Sequence, residues 1–145
     1  MIRVVVVDDE RLFREGIVSL VDAADDLDVV GTAENGRQGV EVVLAHRPDV
    51  VLMDMQMPVM NGIEATREIR RSSPEVQVVI LTNFQYDEYV VPALRAGAAG
   101  YLLKDSTVSE VHQGIRAAAA GEAMLSPAVT RHLLDSLGPA MSTRQ

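Results

Sequence analysis

The chain has 145 residues, is 48% hydrophobic, contains no cysteine and carries a formal net charge of −8. That length suits one domain on one core, and the missing cysteines remove disulfides, thiolate catalysis and cysteine metal sites. The negative charge opposes gripping a phosphate backbone, and the apolar run before Asp8 is too short for a signal-peptide core or a membrane span, so a soluble cytoplasmic protein is expected.

Taken in chain order, short β-branched runs alternate with segments of helical period. Val4 to Val7 reads as a first strand, followed by the apolar stripe Phe13, Ile17, Leu20 and Val21 of a helix. Val29 and Val30 with their flanks mark a second strand. Asn35, three residues before Gln38, starts a second helix that Pro48 closes. Val50 to Met53 is a third strand, and Asn61 with Glu64 opens a third helix. Val78 to Leu81 is a fourth strand. The helix after it contains Pro92, which costs up to ~3 kcal/mol in a helix interior, so that helix is expected to start near Val91 or to be irregular before it. Gly97 stops it, and Tyr101 to Leu103 is a fifth strand. Thr107 with Glu110 opens a fifth helix carrying Val108, Val111, Ile115 and Ala118, and Gly121 ends it.

The runs are continuous rather than alternating, which suits strands covered on both faces. Five strand–helix repeats predict an α/β fold: an open parallel sheet with right-handed crossovers and helices on both sides. Residues 1–121 are read as this domain. Residues 122–145 are read as a linker helix and tail: Ser126-Pro127 is a good helix start, Val129, Leu133, Leu134 and Leu137 follow at helical spacing, and Gly138-Pro139 stops it.

The polar residues carry the chemistry. The first strand ends in Asp8-Asp9, the third in Asp54, the fourth in Thr82 and the fifth in Lys104. In an open parallel sheet these ends share one edge, where ligand sites lie. Each is ordinary alone: a strand-end Asp is usually a turn or cap, and a lone Lys usually a solvated charge. Together they form a set. Three neighbouring carboxylates need a counter-charge, which a hard dication such as Mg²⁺ supplies. A carboxylate is also a nucleophile toward phosphorus. A Lys ammonium and a Thr hydroxyl can then neutralise and hydrogen-bond phosphoryl oxygens.

Val7-Asp8-Asp9-Glu10, Asp54-Met55-Gln56-Met57-Pro58 with Asn61-Gly62, Leu81-Thr82, and Ala96-Gly97-Ala98 leading to Tyr101-Leu102-Leu103-Lys104-Asp105 resemble the receiver domain of bacterial response regulators. Asp87-Glu88-Tyr89 and Leu94 to Ala98 are similar to the subfamily that carries a LuxR-type DNA-binding domain. The resemblance covers residues 2 to about 121 and implies a flavodoxin-like, doubly wound (βα)5 fold with strand order 2-1-3-4-5. It implies that Asp54 takes a phosphoryl group from a sensor histidine kinase. Asp8, Asp9, Asp54 and the backbone carbonyl of Gln56 would hold Mg²⁺, and Lys104 would pair with the phosphoryl group. Thr82 would shift toward it and Tyr101 would turn inward behind it. Phe84, two places after Thr82, suggests slow loss of the phosphoryl group. Proline often follows the lysine in this family as a cis peptide; here Asp105 follows, so none is expected. Helices one and five would form a homodimer, and DNA would be reached only through an effector domain beyond residue 145; the alternative is a stand-alone receiver.

Two other classes compete. An aspartate-nucleophile phosphatase wants an acid two residues after its nucleophile, where Gln56 stands and cannot protonate a leaving group. A flavodoxin-like cofactor binder would meet repulsion at Asp8-Asp9-Glu10. His46, His112 and His132 lack ligand spacing and read as surface or boundary residues. Met53, Met55, Met57 and Met60 read as gap fillers beside the site loop.

Overall fold

The structure, a computed structural model, describes residues 1–83, 87–122, 124, 125, 130, 131, 134 and 135. Strands β1 (Ile2–Val7), β2 (Leu27–Ala33), β3 (Val50–Met53), β4 (Gln77–Thr82) and β5 (Gly100–Leu103) alternate with helices α1 (Arg11–Asp22), α2 (Gly36–His46), α3 (Gly62–Ser72), α4 (Asp87–Arg95) and α5 (Val108–Ala119). The strands are parallel in the order β2-β1-β3-β4-β5, as expected.

Each central strand is buried on both faces, which is why its sequence is a continuous apolar run. Val5, Val7, Val51, Met53, Val78, Ile80, Tyr101 and Leu103 point one way, onto Val43, Ala65, Ile69, Val90 and Ala93 of α2, α3 and α4. Val4, Val6, Val50, Leu52, Val79, Leu81 and Leu102 point the other way, onto Ile17, Val21, Val111, Ile115 and Ala118 of α1 and α5. A fully buried Val or Leu contributes roughly 1.5–3 kcal/mol, so these two layers outweigh any single polar contact. Val108 departs from its expected stripe and is exposed; it stands at the helix start, short of the sheet.

The helix starts follow the sequence signals. Asn61 with Glu64, and Thr107 with Glu110, form complete capping boxes. Asn35 accepts from the Gln38 amide, while the Gln38 side chain accepts from the Glu34 N–H instead of closing a box.

Two elements differ from expectation. Helix α4 begins at Asp87, not near Val91, so Pro92 is its sixth residue. Burial of Val90 and Ala93 against the sheet outweighs the hydrogen bond that the proline ring removes. A sixth strand, β6 (Met124–Leu125), pairs in parallel with Gly100 and Tyr101 at the edge of the sheet. It is too short to stand out as an apolar run, and a turn produces it. Gly121, at φ +80°, donates to the Ala118 carbonyl and Glu122 donates to the Ala117 carbonyl, which reverses the chain after α5. Of the helix expected after Ser126, residues 130, 131, 134 and 135 are helical, and its other residues lie outside the described ones.

Gly62 opens α3 directly beneath the end of β3. Its N–H donates to the Met55 carbonyl at 2.7 Å, and a Cβ there would run into the Asp54 carbonyl oxygen. Gly62→Ala is therefore expected to cost roughly 2–4 kcal/mol of unfolding free energy in urea titrations. Gly16→Ala, on α1 with open space at its Cβ, is expected to stabilise by roughly 0.5–1 kcal/mol.

Candidate functional site

Strand β1 lies between β2 and β3, so the strand order reverses there and a crevice opens at the carboxyl ends of β1 and β3. The backbone fixes the two acidic strand ends to each other. The Asp54 N–H donates to the Val7 carbonyl at 3.0 Å, and the Asp8 N–H to the Ala33 carbonyl at 3.0 Å. One carboxylate oxygen from each of Asp8, Asp9 and Asp54 lies within 4.8 Å of the others. Asp8 and Asp54 are buried and Asp9 is exposed, so the cluster has a dry floor and a wet rim.

Lys104 reaches this cluster from the end of β5. Its Nζ lies 2.9 Å from Asp8 Oδ2, 3.2 Å from Glu10 Oε1 and 3.5 Å from Asp54 Oδ1. The Phe13 ring of α1 covers the ammonium at 4.3 Å. The Lys104 N–H donates to the Thr82 carbonyl at 2.8 Å, which ties the β4 and β5 ends together. Burial alone would push the Lys104 pKa down, but the hydrogen bond to Asp8, the charges of Asp54 and Asp8 and the hydrogen bond to Glu10 overcome it and raise the pKa.

Asp54 is less well compensated. Burial, and then the charge of Asp8, push its pKa up to about 7, against the opposing pull of Lys104 and the Met55 N–H bond. That N–H donates to Asp54 Oδ1 at 2.9 Å. A carboxylate this crowded lacks positive charge. The donor set is all hard oxygen, and the surplus is negative, so Asp8, Asp9 and Asp54 fit a small dication. Thr82 is fully buried at the end of β4, and Tyr101 is fully buried on β5. The Gln56 side chain is exposed and donates to Tyr89 Oη of α4 at 3.4 Å.

All the side chains singled out at the strand ends thus fall on one edge, and Asp8, Asp9, Asp54 and Lys104 form one cluster. Phe84 lies outside the described residues. Met53 and Met55 are buried, and Met57 and Met60 pack against the same core, as gap fillers should. His46 is exposed, His112 is half-buried with Nε2 2.8 Å from the Leu20 carbonyl, and His132 lies outside the described residues. No cis peptide occurs among the described residues, in keeping with Asp105 after Lys104. Sequence reasoning missed Glu10 and Phe13 as partners of Lys104, and Arg14, which donates to the Asp8 carbonyl at 2.7 Å. The available signal was the i, i+3, i+4 spacing from Glu10 along α1, which turns all three toward the β1 end.

Residues 4–116 match the family described as the response regulator receiver domain. The chain is 41% identical over 137 residues to the transcriptional regulatory protein LiaR of Bacillus subtilis, covering 94% of this chain and 65% of the relative. It is 39% identical over 135 residues to LnrK of the same organism, covering 93% of this chain and 61% of the relative. The chain therefore spans less than two thirds of these relatives. Among solved structures, it superposes on a LuxR-family two-component response regulator from Aurantimonas with a TM-score of 0.90 and 32% identity, covering 94% of this chain and 97% of that one. It also superposes on the receiver domain of a response regulator from Mycobacterium tuberculosis with a TM-score of 0.81 and 39% identity, covering 83% and 98%.

The surplus charge on Asp54 has a measurable consequence. Its folded-state pKa is raised from 3.8 to about 7, so between those values the folded protein holds a proton that the unfolded chain has lost. Stability must then fall as pH rises from about 4 to about 7. Asp54→Asn removes that slope. Screening by Lys104 and water reduces the effect, so in metal-free buffer the variant is expected to exceed the parent by about 1–2 kcal/mol at pH 8 and to match it near pH 4, read by urea unfolding at each pH.

Proposed function

The chain belongs to the response regulator receiver family, and from that premise we propose that Asp54 accepts a phosphoryl group from a sensor histidine kinase. Receivers are signalling domains of two-component systems rather than ordinary enzymes. The observation that carries the proposal is the buried Asp54 carboxylate, crowded by Asp8 and Asp9 and 3.5 Å from Lys104.

The residues divide the work. An Asp54 oxygen attacks phosphorus, and the bond from phosphorus to the donor histidine nitrogen breaks as the new O–P bond forms. Asp8, Asp9, Asp54 and the Gln56 backbone carbonyl would hold Mg²⁺. When bound, Mg²⁺ supplies the positive charge that the carboxylates and the phosphoryl oxygens need. Lys104 meets a second oxygen as a point charge, and the Thr82 hydroxyl donates to a third. Thr82 and Tyr101 sit on β4 and β5 beside α4, so a shift at Thr82 reaches the packing around Tyr101. Gln56, where a phosphatase would keep a general acid, favours a lasting phosphoryl signal over turnover.

The relatives are named as transcriptional regulators, and this chain matches less than two thirds of the two compared above. Control of transcription through a DNA-binding domain C-terminal to residues 122–145 is proposed on that ground, with residues 1–121 as the receiver. No described helix is long and apolar enough to cross a membrane, and a cytoplasmic site of action is part of the proposal. A homodimer through α1 and α5 is supported by Leu12, 86% exposed on α1, and by a cavity of about 460 Å³ that runs along α1 past Leu12, Phe13, Gly16 and Leu20 and meets α5 at Val111.

Acetyl phosphate with Mg²⁺ is expected to add one phosphoryl group, seen as a mass increase in intact-protein spectrometry. Asp54→Asn and chelation by EDTA should each abolish it, and modification of the Asn variant at an equal rate would refute the assignment. In sedimentation velocity, beryllofluoride with Mg²⁺ should shift monomer to dimer, and Leu12→Glu should hold the monomer.

A further inference from the structure

Glu10 occupies the N-cap of α1 yet makes no side-chain cap bond. Ser, Thr, Asp or Asn at that position stabilises a helix by capping a free N–H, and this helix forgoes it. The Glu10 carboxylate instead lies 3.2 Å from Lys104 Nζ, although 63% of the side chain is exposed. An ammonium has three donors. Around Lys104, Asp8 and Glu10 are nearer than Asp54, and the Phe13 ring closes a further side.

An entering phosphoryl group must therefore displace one of these acids from Lys104. Asp8 is the costly one to release. Its side chain is 5% exposed, and leaving a buried carboxylate without its cation is strongly unfavourable. Its other oxygen is also fixed, by the Glu10 N–H at 2.8 Å. Glu10 regains water as soon as it turns outward. Resting on the reading of Asp54 as phosphoryl acceptor, we propose that Glu10 is a positioning residue: it holds Lys104 away from the phosphoryl oxygens at rest and so sets how tightly the site takes a phosphoryl group. Its charge also repels the incoming dianion, and both effects act in the same direction. The broken capping rule at α1 is then the local cost of a functional contact.

The test is calorimetric titration of the 145-residue chain with beryllofluoride at saturating Mg²⁺, with Mg²⁺ alone titrated separately. Glu10→Gln keeps the side-chain length and is expected to tighten beryllofluoride binding about 3- to 10-fold, with Mg²⁺ affinity unchanged or weaker. Glu15→Gln, an exposed acid on the same helix, should leave both unchanged and so separates the effect from net charge. A purely structural role for Glu10 would weaken both titrations together. Equal or weaker beryllofluoride binding by Glu10→Gln overturns the proposal, as does a gain matched by tighter Mg²⁺ binding or by Glu15→Gln. Absence of binding by the parent overturns the phosphoryl-acceptor reading itself and this proposal with it.

Discussion

The structure turns on an unbalanced charge. Three carboxylates converge at the ends of β1 and β3, and the ammonium that meets them, Lys104, is shared among Asp8, Glu10 and Asp54. At these separations in a partly dry crevice, like charges repel by more than surface salt bridges recover. The site is therefore held in a state that an added cation would relieve. A binding event that relieves strain can shift a packing equilibrium, because the free energy it releases differs between the two arrangements.

The fold tolerates this repulsion because its stability lies elsewhere. Two apolar layers clamp the sheet, one under α1 and α5 and the other under α2, α3 and α4. The carboxylates sit where those layers end. The Gly62 approach to the Asp54 backbone, the Asp54 N–H bond to Val7 and the Lys104 N–H bond to Thr82 tie the ends of β3 to β1 and of β5 to β4. The strand edge is tied by backbone hydrogen bonds, while side chains reach it from the helices beside it, Glu10 and Phe13 at the start of α1 and Tyr89 on α4. That division suits a signalling domain, in which the charge event is fixed in place and its neighbours respond.

The same division explains the features that were hard to read beforehand. Pro92 lowers the intrinsic preference of α4 for helix, and only the burial of Val90 and Ala93 restores it. Strand β6 has two residues and no apolar run, and the reversal at Gly121 places it beside β5. Glu10 looked like the tail of an acidic motif. Its role became visible when α1 turned it toward a lysine 94 positions away.

The amino-acid sequence by itself determined the five strand–helix repeats, the helix caps at Asn61 and Thr107, and the presence of Asp8, Asp9, Asp54, Thr82 and Lys104 at strand ends. These are local matters of hydrophobic period, backbone hydrogen bonding and residue type, and each is written within a few residues. Only the tertiary structure decided which partners share Lys104, which carboxylates are buried, and that Asp54 is left short of positive charge. Those depend on desolvation and on distances between residues far apart in the chain, and both exist only once the sheet has closed over its core.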